Sequence, residues 1–256
     1  MDKIIGRNPV LEALRAGRGF DRLLVQKGAA GSVEKIVDMA RRSGVAIRFE
    51  EKSALDREAG GGAHQGVLAF VSDYRYASLD DMFARALAEG EPPLFVALDG
   101  IEDPRNLGAI IRASEAVGAH GVILPKRRAA SVNDTVAKTS AGAAEHMAVA
   151  RVSNMARTLL RLRDAGIWIA ALDPRGENCF ERDMTGPLAL TVGGEGGGIG
   201  RLVRESCDFA VSLPMYGKTA SLNAATAAAV ALYEIRRQRS AASGRRSPDA
   251  DAGVLR

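Results

Sequence analysis

Apolar and polar positions along the first 73 residues switch between a helical period and short strand-like runs. The spacing predicts a helix over residues 8–15, a strand over 22–26, a helix over 32–42 and a short strand over 45–49. After the turn Gly60-Gly61-Gly62, the run from Val67 to Val71 reads as a buried strand that closes a small α/β unit. Residues 74–93 read as a linker carrying one short helix over 79–88, bounded by the glycine and prolines of EGEPP. Strands over 94–98, 121–124, 168–172, 188–192 and 209–212 then alternate with helices, the signature of a parallel sheet with crossovers. A last helix, from 221 to about 237, is rich in alanine, which suits either an ordinary core helix or close approach by a partner chain. From Ser240 the chain is small and polar, and a disordered basic tail is expected over 240–256.

Composition narrows the class without naming a function. At 256 residues, with 46% hydrophobic and 26% charged positions, wholesale disorder and collagen-like structure are excluded. No apolar run approaches the ~20 residues of a membrane span. The amino terminus, MDKIIGRNPVLEAL, lacks the regions of a secretory signal, so a cytoplasmic protein is expected. Cys179 and Cys207, with His64, His120 and His146, show no metal-ligand spacing, and no metal is expected. The net charge of +4 lies wholly in the stretch from Arg236 onward, which carries six arginines and two acids and leaves 29 charges of each sign before it. Such a tail can hold a polyanion, or it can be a solvated extension.

Three segments at strand ends carry the candidate chemistry, because ligands of open α/β sheets collect outside the carboxyl ends of the strands. In LDGIEDPRNLGAIIRASEAVGA, Asn106 stands near a helix start, where it can be an N-cap or a cleft residue, and Arg112 follows between one and two turns on. In LALTVGGEGGGIG, five glycines surround Glu195; the spacing is not that of a dinucleotide-binding loop, and the glycines permit close backbone approach to a ligand. In LPMYGKTASLNAATAAAV, the GKT fails as a triphosphate loop because Ser212 stands where its first glycine belongs. Ser221 and Asn223 at the following helix start can cap it or hold a ligand. No G-x-S-x-G elbow supports a hydrolase.

Taken together and in this order, NLGAIIR, VGGEGGGIG and LPMYGKTASLNAATAA resemble the three motifs of the SpoU/TrmH class of RNA ribose 2'-O-methyltransferases. IIGRNPVLEAL and HQGVLAFV are similar to the amino-terminal domain of its RlmB-like subgroup. The resemblance implies an α/β protein with a small RNA-binding domain over 1–73 and, over 94–239, a trefoil-knotted parallel-sheet (SPOUT) methyltransferase domain. It implies S-adenosyl-L-methionine as cofactor, a homodimer whose active sites use both chains, and a guanosine of 23S rRNA as target. Carried over residue by residue, it marks Asn106, Arg112, Glu195, Ser221 and Asn223 as catalytic. Gly193, Leu213 and Leu222 match positions whose backbone contacts the donor. Many relatives continue the last motif as SLNVSVA, whereas here Ala224-Ala225-Thr226 follows Asn223.

The family makes Arg112 the general base for the 2'-hydroxyl. A guanidinium normally stays protonated, so a second role stands beside it: holding the substrate phosphate and stabilising developing oxyanion charge. Asn106 is expected to orient Arg112 or the ribose, Glu195 to hold the loop, and Ser221 with Asn223 to support the substrate. Arg7, Arg15, Arg18, Arg22 and Lys27 are candidate phosphate ligands of the small domain. Transfer RNA as the substrate, and a non-catalytic RNA-binding or assembly protein, are the competing readings.

Overall fold

Residues 2–15, 19–71 and 74–244 are described by the structure, a computed structural model. They fall into two units, Met1–Tyr76 with Ser131–Asp134 and Ala77–Ala130 with Thr135–Arg256. The first runs β1 (Asp2–Ile5), α1 (Arg7–Arg15), β2 (Phe20–Gln26), α2 (Ser32–Arg42), β3 (Ile47–Glu50), α3 (Lys52–Ala59) and β4 (Val67–Val71). Its sheet has the order β1-β4-β2-β3, with β4 antiparallel to both neighbours and β2 parallel to β3. Every residue of β4 is buried because alternate side chains enter two cores. Val67, Ala69 and Val71 pack with Val10, Ile36 and Ala40 from α1 and α2. Leu68 and Phe70 pack with Leu55 and Ala59 from α3. Gly60 ends α3 in the left-handed region at φ 56°.

The second unit runs α4 (Leu79–Glu89), β5 (Leu94–Asp99), α5 (Pro104–Ala116), β6 (Gly121–Pro125), α6 (Asp134–Thr139), β7 (Val149–Val152), α7 (Met155–Asp164), β8 (Trp168–Asn178), β9 (Leu188–Gly193), α8 (Arg201–Glu205), β10 (Phe209–Ser212) and α9 (Ala224–Ser243). Its six strands are all parallel, in the order β10-β8-β9-β5-β6-β7. A parallel sheet is covered on both faces, so its inner strands read as unbroken apolar runs, and Leu94 to Leu98 are fully buried. The connection after β5 leads outward to β6, and the one after β9 leads the other way to β10. Adjacent strands β5 and β9 therefore mark the switch point of the sheet, where the loops after them part and leave a crevice.

Several elements differ from the sequence expectation. The segment over 74–93 is more than a linker: α4 carries a capping box from Ser78, and its Met82 and Ala86 are buried in the core of the second unit. β1, α3 and β7 are additional elements. The final helix starts at Ala224 with Asn223 as its N-cap, and runs past 237 to Ser243, so residues 240–243 are helical. The rest of the expected tail, 245–256, lies outside the described residues. α9 is held at that end by Arg239, which is buried and donates to the carbonyls of Pro92, Pro93 and Gly186 at 2.6, 3.0 and 2.6 Å. Burial, with Arg236 nearby, pushes its guanidinium down to about 10. Among the described residues, no helix is long and apolar enough to cross a membrane, and no cluster of side chains could hold a metal ion.

Candidate active site

The loop after β9 is shaped by backbone contact that only glycine allows. Gly194 donates to the Asp99 carbonyl at 2.9 Å and lies so close to Gly100 that a Cβ would collide with its carbonyl oxygen. A Cβ on Gly193 would run into the backbone of Gly198 and Ile199. The Asp99 carboxylate accepts from the Gly200 amide at 2.8 Å, so the end of β5 holds both sides of the glycine loop. The loop carries Glu195 at its tip, exposed.

Across the switch point, α5 presents Asn106. The helix is capped by Asp103, whose carboxylate accepts from the Arg105 amide at 2.8 Å, because Pro104 suits the first helical position. That leaves Asn106 free of the capping role and available to the crevice. Its Nδ2 donates to Glu195 Oε1 at 3.1 Å. Asn223 completes the cluster from the start of α9, donating from Nδ2 to the same Glu195 oxygen at 2.5 Å and to Asn106 Oδ1 at 3.0 Å. Its own Oδ1 accepts from the amides of Ala225 and Thr226 at 2.9 and 3.3 Å. Capping therefore fixes which end of the Asn223 amide faces Glu195.

Beside this triad lies a cleft of about 570 Å³, a size usual for cofactor sites. Gly193, Leu213, Ser221 and Leu222 line it, together with Glu195 and Asn223. The structure thus brings seven of the eight sequence-derived site residues to one place, six on the cleft wall and Asn106 through its hydrogen bonds. Arg112 stands apart. It is exposed on α5, six residues and about 120° of helical rotation from Asn106, and its guanidinium makes no hydrogen bond or ion pair among the described residues.

Asp173, at the bend in β8, is a cleft residue that sequence reasoning passed over. It is 5% exposed and forms ion pairs with Arg204 and, at 3.2 Å, with Arg175. Burial by itself would raise its carboxyl, but hydrogen bonds from the Arg175 side chain and backbone, with the charge of Arg204, outweigh it and hold the carboxyl below its ordinary value. The signal was present as the acid that ends the apolar run IWIAALDP. In the amino-terminal unit, the candidate phosphate ligands are engaged locally. Arg7 donates to the Gln65 carbonyl at 2.8 Å, Arg15 pairs with Glu12, Arg22 stacks 3.9 Å from the Phe70 ring centroid, and Lys27 pairs with Glu51. Arg18 lies outside the described residues.

Residues 93–233 match the SpoU rRNA Methylase family, and residues 3–77 match the family of RNA 2'-O ribose methyltransferase substrate-binding domains. The chain is a member of the SpoU family. It is 46% identical over 241 residues to YacO of Bacillus subtilis, named for the TrmH family of tRNA/rRNA methyltransferases, an alignment covering 93% of this chain and 96% of YacO. An uncharacterized tRNA/rRNA methyltransferase of Mycolicibacterium vanbaalenii is 48% identical over 242 residues, covering 93% of this chain and 77% of the relative. Among solved structures, the SpoU methyltransferase AviRb from Streptomyces viridochromogenes, in complex with the cofactor AdoMet, is similar with a TM-score of 0.59 and 28% identity. That match covers 93% of this chain and 90% of AviRb. For the SpoU fold, the glycine loop after β9 and the start of α9 are thus the walls of a cleft beside the switch point.

Proposed function

We propose that this SpoU-family RNA methyltransferase methylates the 2'-hydroxyl of a guanosine ribose in 23S ribosomal RNA. The observation that carries the reading is the Asn106–Glu195–Asn223 cluster, built from three separate elements beside a glycine-walled cleft. S-adenosylmethionine is the methyl donor of this enzyme, and the cleft suits it. Gly193 and Gly194 line it without side chains, and Val192, Leu213 and Leu222 supply apolar wall. When bound, the donor supplies an electrophilic methyl carbon whose leaving group is a neutral thioether.

Gly193, Leu213 and Leu222 are the residues that hold it. Glu195, acceptor-only and already taking two amide donors, locks Asn106 and Asn223 in one orientation, so the ribose meets a preset surface. Ser221, exposed on the cleft wall, supports the substrate. Arg112, with its donors uncommitted and apart from the cluster of its own chain, holds a substrate phosphate and stabilises charge on the 2'-oxygen in a site that uses both chains of a homodimer, as the 2'-hydroxyl proton departs to water. The family's alternative is Arg112 as the base itself, a demanding role for a group that is ordinarily charged.

Membership of the SpoU family is what supports a carboxy-terminal domain threaded as a trefoil knot. Val230 and Tyr233, large and exposed on α9, support a homodimer through that helix. The amino-terminal domain over 1–73 selects the RNA. A transfer RNA substrate is the second reading, because the names of the relatives cover both RNAs. Labelled S-adenosylmethionine incubated with protein-free 23S RNA and with bulk transfer RNA separates the two. Label in a single guanosine of 23S RNA is expected, and label in transfer RNA alone would overturn the substrate.

A further inference from the structure

We propose that Tyr216 and Lys218, in the loop between β10 and α9, hold the RNA at the mouth of the donor cleft, the ring stacking on a base beside the target ribose and the ammonium pairing with a phosphate. The inference rests on the RNA-methyltransferase reading above. Residues 213–223 join the two elements, and every one from Met215 to Asn223 is exposed. Leu213, Met215, Ala220, Ser221 and Leu222 line the cleft, so this loop is one of its walls. The chain leaves that wall after Met215 and rejoins it at Ala220, with Tyr216-Gly217-Lys218-Thr219 as the turn between.

The Tyr216 side chain is 95% exposed, more than any other large apolar side chain among the described residues, and its hydroxyl has no hydrogen-bond partner among them. A single exposed apolar residue is ordinary on a protein surface. Here Met215 and Leu222 are exposed as well, and both belong to the cleft wall, so the ring is part of a loop that presents apolar surface beside the cleft. A Cβ on Gly217 would meet no atom within 4 Å, so the turn stands clear of the rest of the chain. Lys218 is the only charged residue between Asp208 and Glu234, and its ammonium makes no hydrogen bond or ion pair among the described residues. The GKT that fails as a triphosphate loop thus leaves its cation available to another anion.

Methyl transfer brings the target ribose to about 3–3.5 Å from the donor methyl, so the nucleotide that carries it must enter the cleft past its walls. RNA is read where its bases are unstacked and lie on aromatic side chains, while its phosphates take the cations. A tyrosine and a lysine two residues apart are separated by at most about 7 Å of chain, so one short turn offers a platform for a base and a charge for the backbone next to it. Tyr216 is not among the residues that line the cleft, and its ring therefore serves what stands at the mouth and not the donor inside. Stacking tolerates any base. The role of Tyr216 is positioning: it fixes the nucleotide so that the ribose meets the Asn106–Glu195–Asn223 cluster, without selecting guanosine.

The test uses the full chain as Tyr216→Ala, Tyr216→Phe and Lys218→Gln. Affinity for protein-free 23S RNA and for bulk transfer RNA is measured over a salt series, alongside donor binding by calorimetric titration, sedimentation and steady-state methyl transfer. Tyr216→Ala should weaken RNA binding roughly tenfold and raise KM for RNA, with the salt slope unchanged because stacking releases no counterions. Tyr216→Phe keeps the ring face and should recover the affinity, which a merely misfolded loop would not do. Lys218→Gln should flatten the slope of log affinity against log salt by about 0.7, the share of one phosphate contact on a single strand. Unaltered RNA affinity in Tyr216→Ala, or a Tyr216→Phe no better than Tyr216→Ala, overturns the stacking; an unchanged slope in Lys218→Gln overturns the phosphate contact. Lost donor affinity would assign the turn to the donor, and an altered sedimentation profile would assign it to contact with a second copy of the chain, and either overturns the proposal. Absence of methyl transfer into either RNA by the unaltered chain overturns the parent reading instead, and the RNA affinities still decide this one.

Discussion

Asn223 does two jobs that one substitution can separate. Its Oδ1 caps α9 through the Ala225 and Thr226 amides, while its Nδ2 donates to Glu195 and Asn106. Asn223→Asp keeps an N-cap of equal quality but puts an anionic oxygen where Nδ2 stands, 2.5 Å from Glu195 Oε1. Two unit charges at that separation repel by about 1.7 kcal/mol in a water-like dielectric and by several times more in a protein-like one. Both side chains are exposed, so the lower figure applies, and Glu195 relieves the repulsion by swinging into solvent. Stability should stay within ~0.5 kcal/mol of the parent chain, whereas kcat/KM for methyl transfer should fall roughly twentyfold or more as the cluster opens. Lowering the pH should restore part of the activity, because each carboxylate raises the other's pKa and the protonated member donates again. Asn223→Ala removes both jobs: about 1 kcal/mol of capping, seen as a Tm lower by roughly 2–4 °C, together with the activity. Calorimetric Tm and initial rates with labelled donor measure the two effects. Full activity in Asn223→Asp, or a Tm loss as large as that of Asn223→Ala, would refute the reasoning.

Gly194→Ala forces a Cβ into the Gly100 carbonyl, so a loss of roughly 1–3 kcal/mol and of donor binding is expected by thermal unfolding and calorimetric titration; unaltered donor affinity would show that the glycine loop is not the wall of the donor site. Asp173, with its carboxyl held below the ordinary value of 3.8, contributes stability that is fully present above that value and is lost as pH falls through the lowered folded value. Asp173→Asn should flatten that acid limb in denaturant titrations at stepped pH, and an unchanged limb would contradict the assignment. His120 is fully buried, and its Nδ1 accepts from the Leu94 amide at 2.9 Å, so the ring is held neutral and burial lowers its pKa below 6.5. Its contribution to stability is present above 6.5 and is lost as pH falls through the lowered folded value; an NMR titration showing the ring protonated above 6.5 would contradict this.

The inner strands of the large sheet were legible because burial on both faces makes Leu94 to Leu98 or Leu188 to Val192 continuous apolar runs. β7 was not, since it is four residues long and Arg151 interrupts it. α3 hid for a related reason: its buried face consists of Leu55 and Ala59 alone, too little to set a period. The site residues were legible through the order of three motifs, but their partnerships were not. Asn106 read equally as a cap or a cleft residue, and only the capping of α5 by Asp103, with Pro104 at the first helical position, leaves it to Glu195.

The central claim is transfer to ribose oxygen rather than to a base, and alkaline hydrolysis of labelled RNA tests it most directly. Alkali cleaves a phosphodiester only where a free 2'-hydroxyl can attack it. RNA labelled by this enzyme should yield its label in alkali-stable dinucleotides. Label recovered in mononucleotides would place the methyl group on a base and contradict the account.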